Sequence, residues 1–382
     1  MKNFNNSNPA TNNIQIVQDY LTAHYQFKYN AVTCRLLVKP VETNADFQYL
    51  TDYDLNSILR SMKSANIYCS KDLLRTVLFS DYVESFNPYV SFISSLPVWD
   101  GTDYVDRLAA SVTTTEPEHW KFCLRKWLVA MVASLIKKEV VNHTAIIFSG
   151  PQGIGKTRWF HSIIPPCLRE FIYEGYIQTN DKETEIKLSE CILILMDELE
   201  NMSSRNIDSL KALMTKQSIL TRRAFHLTSE SYPRRASFAG TVNRKEFLYD
   251  LTGNRRFLCF DVQRIETDHQ VPLEQLYAQL VYLYQSGFQY WLNEQEIAML
   301  NEKNTIFRVI STEEEALLSC FEPCREGEET GFYTTTELQQ LLMQKAGVPS
   351  ISIQNLGRVL RETKFERVKR ENRYGYLVKE RT

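Results

Sequence analysis

Gly150, Pro151, Gln152, Gly153, Ile154, Gly155, Lys156 and Thr157 spell G-x-x-x-x-G-K-T directly after the apolar run Ala145-Ile146-Ile147-Phe148. A strand feeding a glycine-rich loop that ends in Lys-Thr is the pattern of a phosphate cradle. The glycines let successive backbone N–H groups wrap an anion. Lys156 has the length and charge to reach the β- and γ-phosphates, and the Thr157 hydroxyl can ligate Mg2+. The helix expected at Lys156 turns its positive dipole end toward the same anion. The ligands this chemistry calls for are ATP and Mg2+.

Four further groups fit around that cradle. The run Ile192-Leu193-Ile194-Leu195-Met196 reads as a buried strand delivering Asp197 and Glu198 at its C-terminal end, with Glu200 close behind. Asp197 suits the metal and Glu198 the attacking water. Ser237 to Thr241 is a second apolar strand ending near Asn243, whose amide can bond the water or the γ-phosphate. Arg255 and Arg256 precede Phe257 at a strand start, and either guanidinium could serve a neighbouring subunit's nucleotide. A finger supplied between subunits implies head-to-tail contacts and hence a homo-oligomeric ring. Finally, Arg222, Arg223, Phe225 and His226, with Arg234 and Arg235 beyond, flank an expected hairpin. Arginine and histidine for phosphates and phenylalanine for bases would suit single-stranded DNA, while an exposed charged hairpin explains the same residues as well.

These groups need elements to hold them. From His143 onward the pattern alternates strand and helix, predicting an α/β domain with a parallel sheet. Strands are expected at Thr144–Ser149, Cys191–Met196, Ser237–Thr241 and Phe257–Val262, and helices at Lys156–Ile164, Asp181–Leu188 and Arg205–Met214. Residues 1–13 are polar and read as a disordered tail. Residues 14–100 read as a small α+β region, 101–265 as the P-loop domain with its preceding helices, and 266–310 as a helical connector. Residues 311–382 give helices followed by two short strands, the outline of a winged-helix-like module. Within it, Thr335 is the expected cap of a helix over Thr336–Lys345. Its basic tail, including Arg358, Arg367, Lys369, Arg370 and Arg373, is either a DNA-phosphate surface or a solvated face. Asp52-Tyr53-Asp54 is better explained as helix capping than as a metal pair.

At 382 residues the chain exceeds one compact core, and its formal net charge of −2 confines any nucleic-acid contact to a local patch. Eight scattered cysteines without a second metal-ligand pair predict reduced thiols and a cytoplasmic setting. The longest apolar stretch, near Trp127 to Ile136, is bracketed by lysines and arginine and is too short for a bilayer, so no membrane is expected.

Taken in order, G-P-Q-G-I-G-K-T, L-I-L-M-D-E-L-E, R-R-A-S-F-A-G-T-V-N and L-T-G-N-R-R-F resemble the virulence-associated protein E family of phage-type primase–helicase ATPases, near helicase superfamily 3. The resemblance extends upstream through N-P-Y-V-S-F-I-S-S-L-P-V-W-D-G and covers about residues 85–265. It implies an AAA+-like ATPase core, a hairpin that faces nucleic acid, and a trans-acting arginine. It assigns Lys156 and Thr157 to nucleotide and Mg2+, Asp197 and Glu198 to metal and water, and Asn243 to the sensor position. It also implies DNA replication in a mobile or phage-derived element. The region ahead of the ATPase lacks a convincing primase carboxylate set, so a separate primase or replication partner is expected. Two other functions fit the same motifs: a nucleotide-switched DNA-binding initiator that does not unwind, and an ATP-binding scaffold acting on a protein.

Overall fold

The computed structural model describes residues 9–175, 177, 181–223, 227–249 and 254–381. The hairpin candidates Phe225 and His226, and Gly253 of the arginine motif, lie outside the described residues.

The N-terminal elements are α1 (Pro9–His24), β1 (Tyr25–Asn30), β2 (Arg35–Pro40), β3 (Gln48–Tyr49), α2 (Asp52–Ser64), α3 (Lys71–Leu78) and β4 (Ser85–Phe86). The first helix takes in residues 9–13 of the stretch that composition marks as disordered. β1 and β2 pair as an antiparallel hairpin, whereas the two-residue strands β3 and β4 are too short to carry a period in the sequence. Together they form a four-stranded sheet in the order β3-β2-β1-β4. Its inner face packs on the helices through Val17, Leu21, Leu36, Ile58, Met62 and Leu74. Thr51 caps α2 in a capping box with Asp54, while Asp52 lies exposed in the first turn and pairs with Lys71.

The central part comprises α4 (Pro88–Ser94), α5 (Tyr104–Ala109), β5 (Val112–Thr114), α6 (Pro117–Ile136), β6 (Ala145–Ser149), α7 (Lys156–Ser162), β7 (Ile172–Glu174), α8 (Lys182–Glu190), β8 (Leu193–Met196), α9 (Ser204–Thr215), β9 (Ser218–Thr221), β10 (Glu230–Pro233), β11 (Ser237–Val242), β12 (Phe257–Ile265), α10 (Leu273–Gln285) and α11 (Glu294–Lys303). Six strands make one sheet in the order β5-β12-β6-β11-β8-β7. All neighbours from β12 to β7 are parallel, and β5 runs antiparallel at the edge. Strands β6, β8 and β11 are buried along their whole length, as expected of strands covered on both faces. One face packs on α6 and α10 through Trp120, Trp127, Phe148, Trp159 and Tyr277. The other packs on α9 through Leu210, Leu213 and Met214. Tyr89 is fully buried and Phe92 meets Tyr277 edge-on, so α4 packs into this central core although composition groups it with the N-terminal region.

The C-terminal elements are α12 (Thr312–Cys320), β13 (Phe321–Pro323), β14 (Gly331–Tyr333), α13 (Thr335–Lys345), α14 (Ile353–Glu362), β15 (Arg367–Arg370) and β16 (Arg373–Glu380). They enclose their own apolar core around Leu317, Phe321, Leu338, Leu356 and Leu360. Thr334, one residue earlier than expected, caps α13, because Glu337 then falls at the position that completes a capping box. Among the described residues no helix is long and apolar enough to cross a membrane.

Candidate nucleotide site

The sheet order puts β11 between β6, which carries the glycine-rich loop, and β8, which carries the carboxylates. Side chains from all three strand ends therefore meet at the C-terminal edge of the sheet, where ligands of open α/β sheets bind.

The loop turns into α7 at Gly155, whose φ of 92° is a left-handed conformation that a side chain would strain. Lys156 follows at 6% exposure. Its ammonium donates to Gly150 O at 2.5 Å, Pro151 O at 2.9 Å and Asn243 Oδ1 at 3.1 Å, using all three N–H donors. Burial lowers its pKa, while Glu200 and Asp197 act to hold the charge in place. Two of those three acceptors belong to the loop itself, and the third is the expected sensor.

Thr157 Oγ1 donates to Asp197 Oδ1 at 3.0 Å, and Thr241 Oγ1 of β11 donates to the same oxygen at 3.0 Å. Asp197 is exposed on its other side. A hydroxyl and a carboxylate held together are hard oxygen donors that suit Mg2+, which commonly takes its remaining ligands from water and substrate phosphates. Among the described residues no cluster of three or more His, Cys, Asp or Glu forms a self-sufficient metal cage. The residues present thus fit a magnesium–phosphate complex better than a resident metal.

Glu198 is exposed and sits at φ 55°, ψ 45°, left-handed for a non-glycine residue. Such strain, of order 1–3 kcal/mol, is typical of functional positions. Its Oε2 accepts from Asn201 Nδ2 at 3.1 Å. Glu200, which the sequence reading left without a role, is drawn into the site. Its Oε1 accepts the Asn243 N–H at 2.9 Å, and its Oε2 is buried without a hydrogen-bond partner. The signal available in sequence was its spacing of three from Asp197; it sits in the short 3-10 helix Leu199–Asn201 that follows the acidic pair. That helix is seated by Leu199 against Gly240, where an added Cβ would stand 2.3 Å from the leucine methyl.

Arg255 and Arg256 lie at the opposite end of the sheet. Phe257, which follows them, pairs with Ala145 at the start of β6. The length of β6, on the order of 15 Å, separates them from their own loop. Arg255 is exposed, and both line a cavity of about 500 Å³ together with Val141, His143, Tyr290 and Trp291.

Three of the four hairpin arginines are corrected by the structure. β9 and β10 do pair as an antiparallel hairpin, and Arg222 is exposed beside it. Arg223, however, turns inward at 5% exposure, pairs with Glu190 and donates to Ser189 Oγ at 3.0 Å. Arg234 is fully buried and donates to the carbonyls of Lys216 at 3.0 Å, Asn142 at 2.6 Å, Met214 at 3.1 Å and Ala236. Arg235 is 9% exposed and donates to Ser189 O at 2.9 Å. Arg234 and Arg235 turn to main-chain carbonyls and Arg223 to Ser189 and the partly buried Glu190 carboxylate, so all three point into the protein rather than toward a DNA backbone in this conformation. In the C-terminal hairpin the basic residues also divide. Arg370 pairs with Glu326 and Glu329, and Arg373 with Glu337. Arg367 and Lys369 instead lie over the exposed ring of Tyr374, at 4.7 and 5.7 Å.

A family profile described as a virulence-associated protein E-like domain matches residues 93–309. No curated protein matches the sequence. Among solved structures, the apo structure of the NrS-1 C-terminal region aligns at 14% identity and a TM-score of 0.51, covering 96% of this chain and 98% of that one. A second form of that region scores 0.47 at 13% identity, covering 96% and 99%. A structure described as SCCmec type IV Cch, an active helicase, scores 0.40 at 11% identity, covering 93% and 92%. The first is alike in fold, and the other two are too distant in shape to carry an argument.

Proposed function

Because this chain belongs to the virulence-associated protein E-like family, we propose that it is a Mg2+-dependent ATP hydrolase of AAA+-like, superfamily 3-like build that moves or remodels nucleic acid during replication of a mobile or phage-derived element. The observation that carries the reading is the Thr157–Asp197 hydrogen bond, shared with Thr241. It ties the phosphate loop, the acidic strand and the strand between them into one site.

In this reading the loop N–H groups take the β- and γ-phosphates, and Lys156 exchanges its loop carbonyls for phosphate oxygens. Thr157 and Asp197 would hold Mg2+, which when bound neutralises charge on the phosphates. Glu198 orients the attacking water. Glu200 fixes the Asn243 backbone, so that the amide released by Lys156 faces the γ-phosphate. A guanidinium from Arg255 or Arg256 serves the neighbouring subunit, since its own loop lies at the far edge of the sheet. Head-to-tail repetition of that contact gives a homo-oligomeric ring.

The test is ATP turnover with Mg2+, with and without single-stranded DNA, on wild type, Lys156→Ala and Glu198→Gln. Turnover stimulated by DNA and lost in both variants is expected. Absence of turnover in the wild type, or variants that match it, overturns the reading. The exposed Tyr374 beneath Arg367 also favours a second reading, an initiator that binds DNA through a C-terminal wing without unwinding it. Binding without strand displacement would select that alternative.

A further inference from the structure

The outer face of the N-terminal sheet carries a pattern that the ATPase reading does not use. Register places Lys28 opposite Leu37, and Leu37 opposite Tyr49, on the face turned away from the helices. Lys39 and Arg35 lie on the same face by the strand period of two, and Phe86 joins it through its pairing with Asn30. Phe47, just before β3, completes the row. The Lys28 ammonium lies 5.0 Å from the Phe47 ring centroid and 5.8 Å from that of Phe86. Lys39 lies 5.0 Å from Phe47, and Arg35 lies 3.9 Å from Tyr49. Cationic groups on the two central strands, β2 and β1, are thus flanked by aromatic rings at both edges, on and beside β3 and on β4.

Three facts say what this face fits. The strand positions on it hold no Asp or Glu. Among the described residues neither Lys28 nor Lys39 has a carboxylate partner. The three rings are half-buried, edged into the sheet but still open to solvent. Apolar rings next to unneutralised ammonium groups are poorly matched to an apolar protein surface, which would have to desolvate the charges. They match a polyanion whose own groups alternate between charged phosphates and flat bases. A duplex keeps its bases stacked within, so the rings can reach only unpaired ones. The Tyr49 hydroxyl donates to Glu170 Oε2 at 2.7 Å, anchoring this face to the central module.

We propose that the outer face of the β3-β2-β1-β4 sheet is a binding platform for single-stranded nucleic acid, with Phe47 and Phe86 stacking on bases and Lys28 and Lys39 contacting phosphates. It goes beyond the ATPase reading and does not depend on nucleotide turnover.

The experiment uses the full chain and fluorescently labelled oligothymidylate and oligouridylate of about 30 nucleotides, several times the length such surfaces commonly span. Binding is followed by anisotropy over a salt series, with a duplex of equal length beside them. In Lys28→Glu/Lys39→Glu the affinity for at least one homopolymer should fall about tenfold or more. In Lys28→Gln/Lys39→Gln the salt dependence should become shallower by about 1.4 in slope, the value for two lost single-strand phosphate contacts. Phe47→Ala should weaken binding about tenfold with the slope unchanged, because stacking releases no counterions. The stronger homopolymer identifies the strand as DNA or RNA. Photocrosslinking of 5-bromouracil-substituted strand to the wild type should give adducts at Phe47, Tyr49 or Phe86, a readout independent of how the variants fold. Unchanged affinity and slope in the folded variants, preference for duplex, or adducts confined to other regions would each overturn the platform. A variant that binds strand normally but changes the particle mass would make this face a contact between copies instead. Turnover without nucleic acid reports on the phosphate loop and is scored separately, so failure of one reading leaves the other intact.

Discussion

Two buried cations stand at opposite ends of the central sheet and are held in different ways. Lys156, at the C-terminal edge, is satisfied by two carbonyls of a loop and by a side-chain amide. Arg234, toward the N-terminal edge, is satisfied by main-chain carbonyls from the segment before β6, from the end of α9 and from Ala236 of its own turn. Burial pulls the pKa of both below the ordinary range. A phosphate can replace the partners of the first, since loop carbonyls compete poorly with a phosphate dianion for an ammonium. No ligand can replace the partners of the second without opening the scaffold. A buried cation held by a loop can exchange partners, whereas one held by several elements is part of the frame.

The comparison can be broken experimentally. The largest effect belongs to Arg255 and Arg256, for which no hydrogen bond or ion pair ties the guanidinium to the frame among the described residues. Replacing both with alanine should lower turnover about a thousandfold or more, the range of a trans-acting arginine. Mixing that variant with Lys156→Ala should restore part of the activity, because one subunit's intact loop then meets another's intact arginines. Mixtures as inactive as their components would remove the trans assignment.

Next in size, Lys156→Ala should cost about 10²–10³ in turnover, comparable to losing one preorganised electrostatic donor. Its thermal midpoint should stay near that of the wild type. Arg234→Ala should behave in the opposite way, losing about 3 kcal/mol or more of stability as buried carbonyls lose their donor. Arg234→Lys should not rescue it, since three donors on a compact ammonium cannot reproduce a planar fork. A stable Arg234→Ala protein with impaired strand binding would mean that this guanidinium faces a ligand after all.

Gly240→Ala sharpens the contrast within the site. The added methyl drives into Leu199, so a loss of about 1–3 kcal/mol is expected from overpacking. Turnover should fall beyond what stability explains, because Leu199 seats the turn carrying Glu198 and Glu200. Activity parallel to the folded fraction would argue that the turn is not rigidly coupled to β11.

The smallest effect is a pH dependence. The folded chain binds the Lys156 proton less tightly than the unfolded chain does. This group therefore favours folding above the unfolded lysine pKa near 10.5, and that contribution is lost as pH falls through its lowered folded value. Relative to Lys156→Ala, the wild type should gain thermal stability as pH rises through that window. A constant difference between the two melting curves would show that burial does not perturb the lysine.

The phosphate loop was legible because its chemistry is local: one strand, one turn and one helix start lie within a dozen residues. Asp197 was legible because an apolar strand ending in carboxylates needs no distant information to be noticed. Arg234 and Arg235 were not, since nothing in a basic doublet tells whether its acceptors will be phosphates or carbonyls contributed by Asn142, Met214 and Ser189. The role of Glu200 is not legible in the sequence because its partner, the Asn243 N–H, arrives from the end of a strand more than forty residues away. The row of rings and cations on the outer sheet face is illegible in the sequence for a related reason. Phe47 and Phe86 belong to strands of two residues or their margins, and only pairing puts them in one row.

Only three residues, Arg234, Arg235 and Ala236, join the hairpin β9–β10 to β11. Both arginines clamp that junction to neighbouring elements, and β11 then brings Thr241 to Asp197 and Asn243 to Lys156 of the glycine-rich loop. A pull on the hairpin therefore travels along a taut, braced rod rather than a slack tether. Under the proposed ATPase reading, a displacement of the hairpin and hydrolysis at the phosphate loop would share this single piece of backbone, a direct mechanical link between the two.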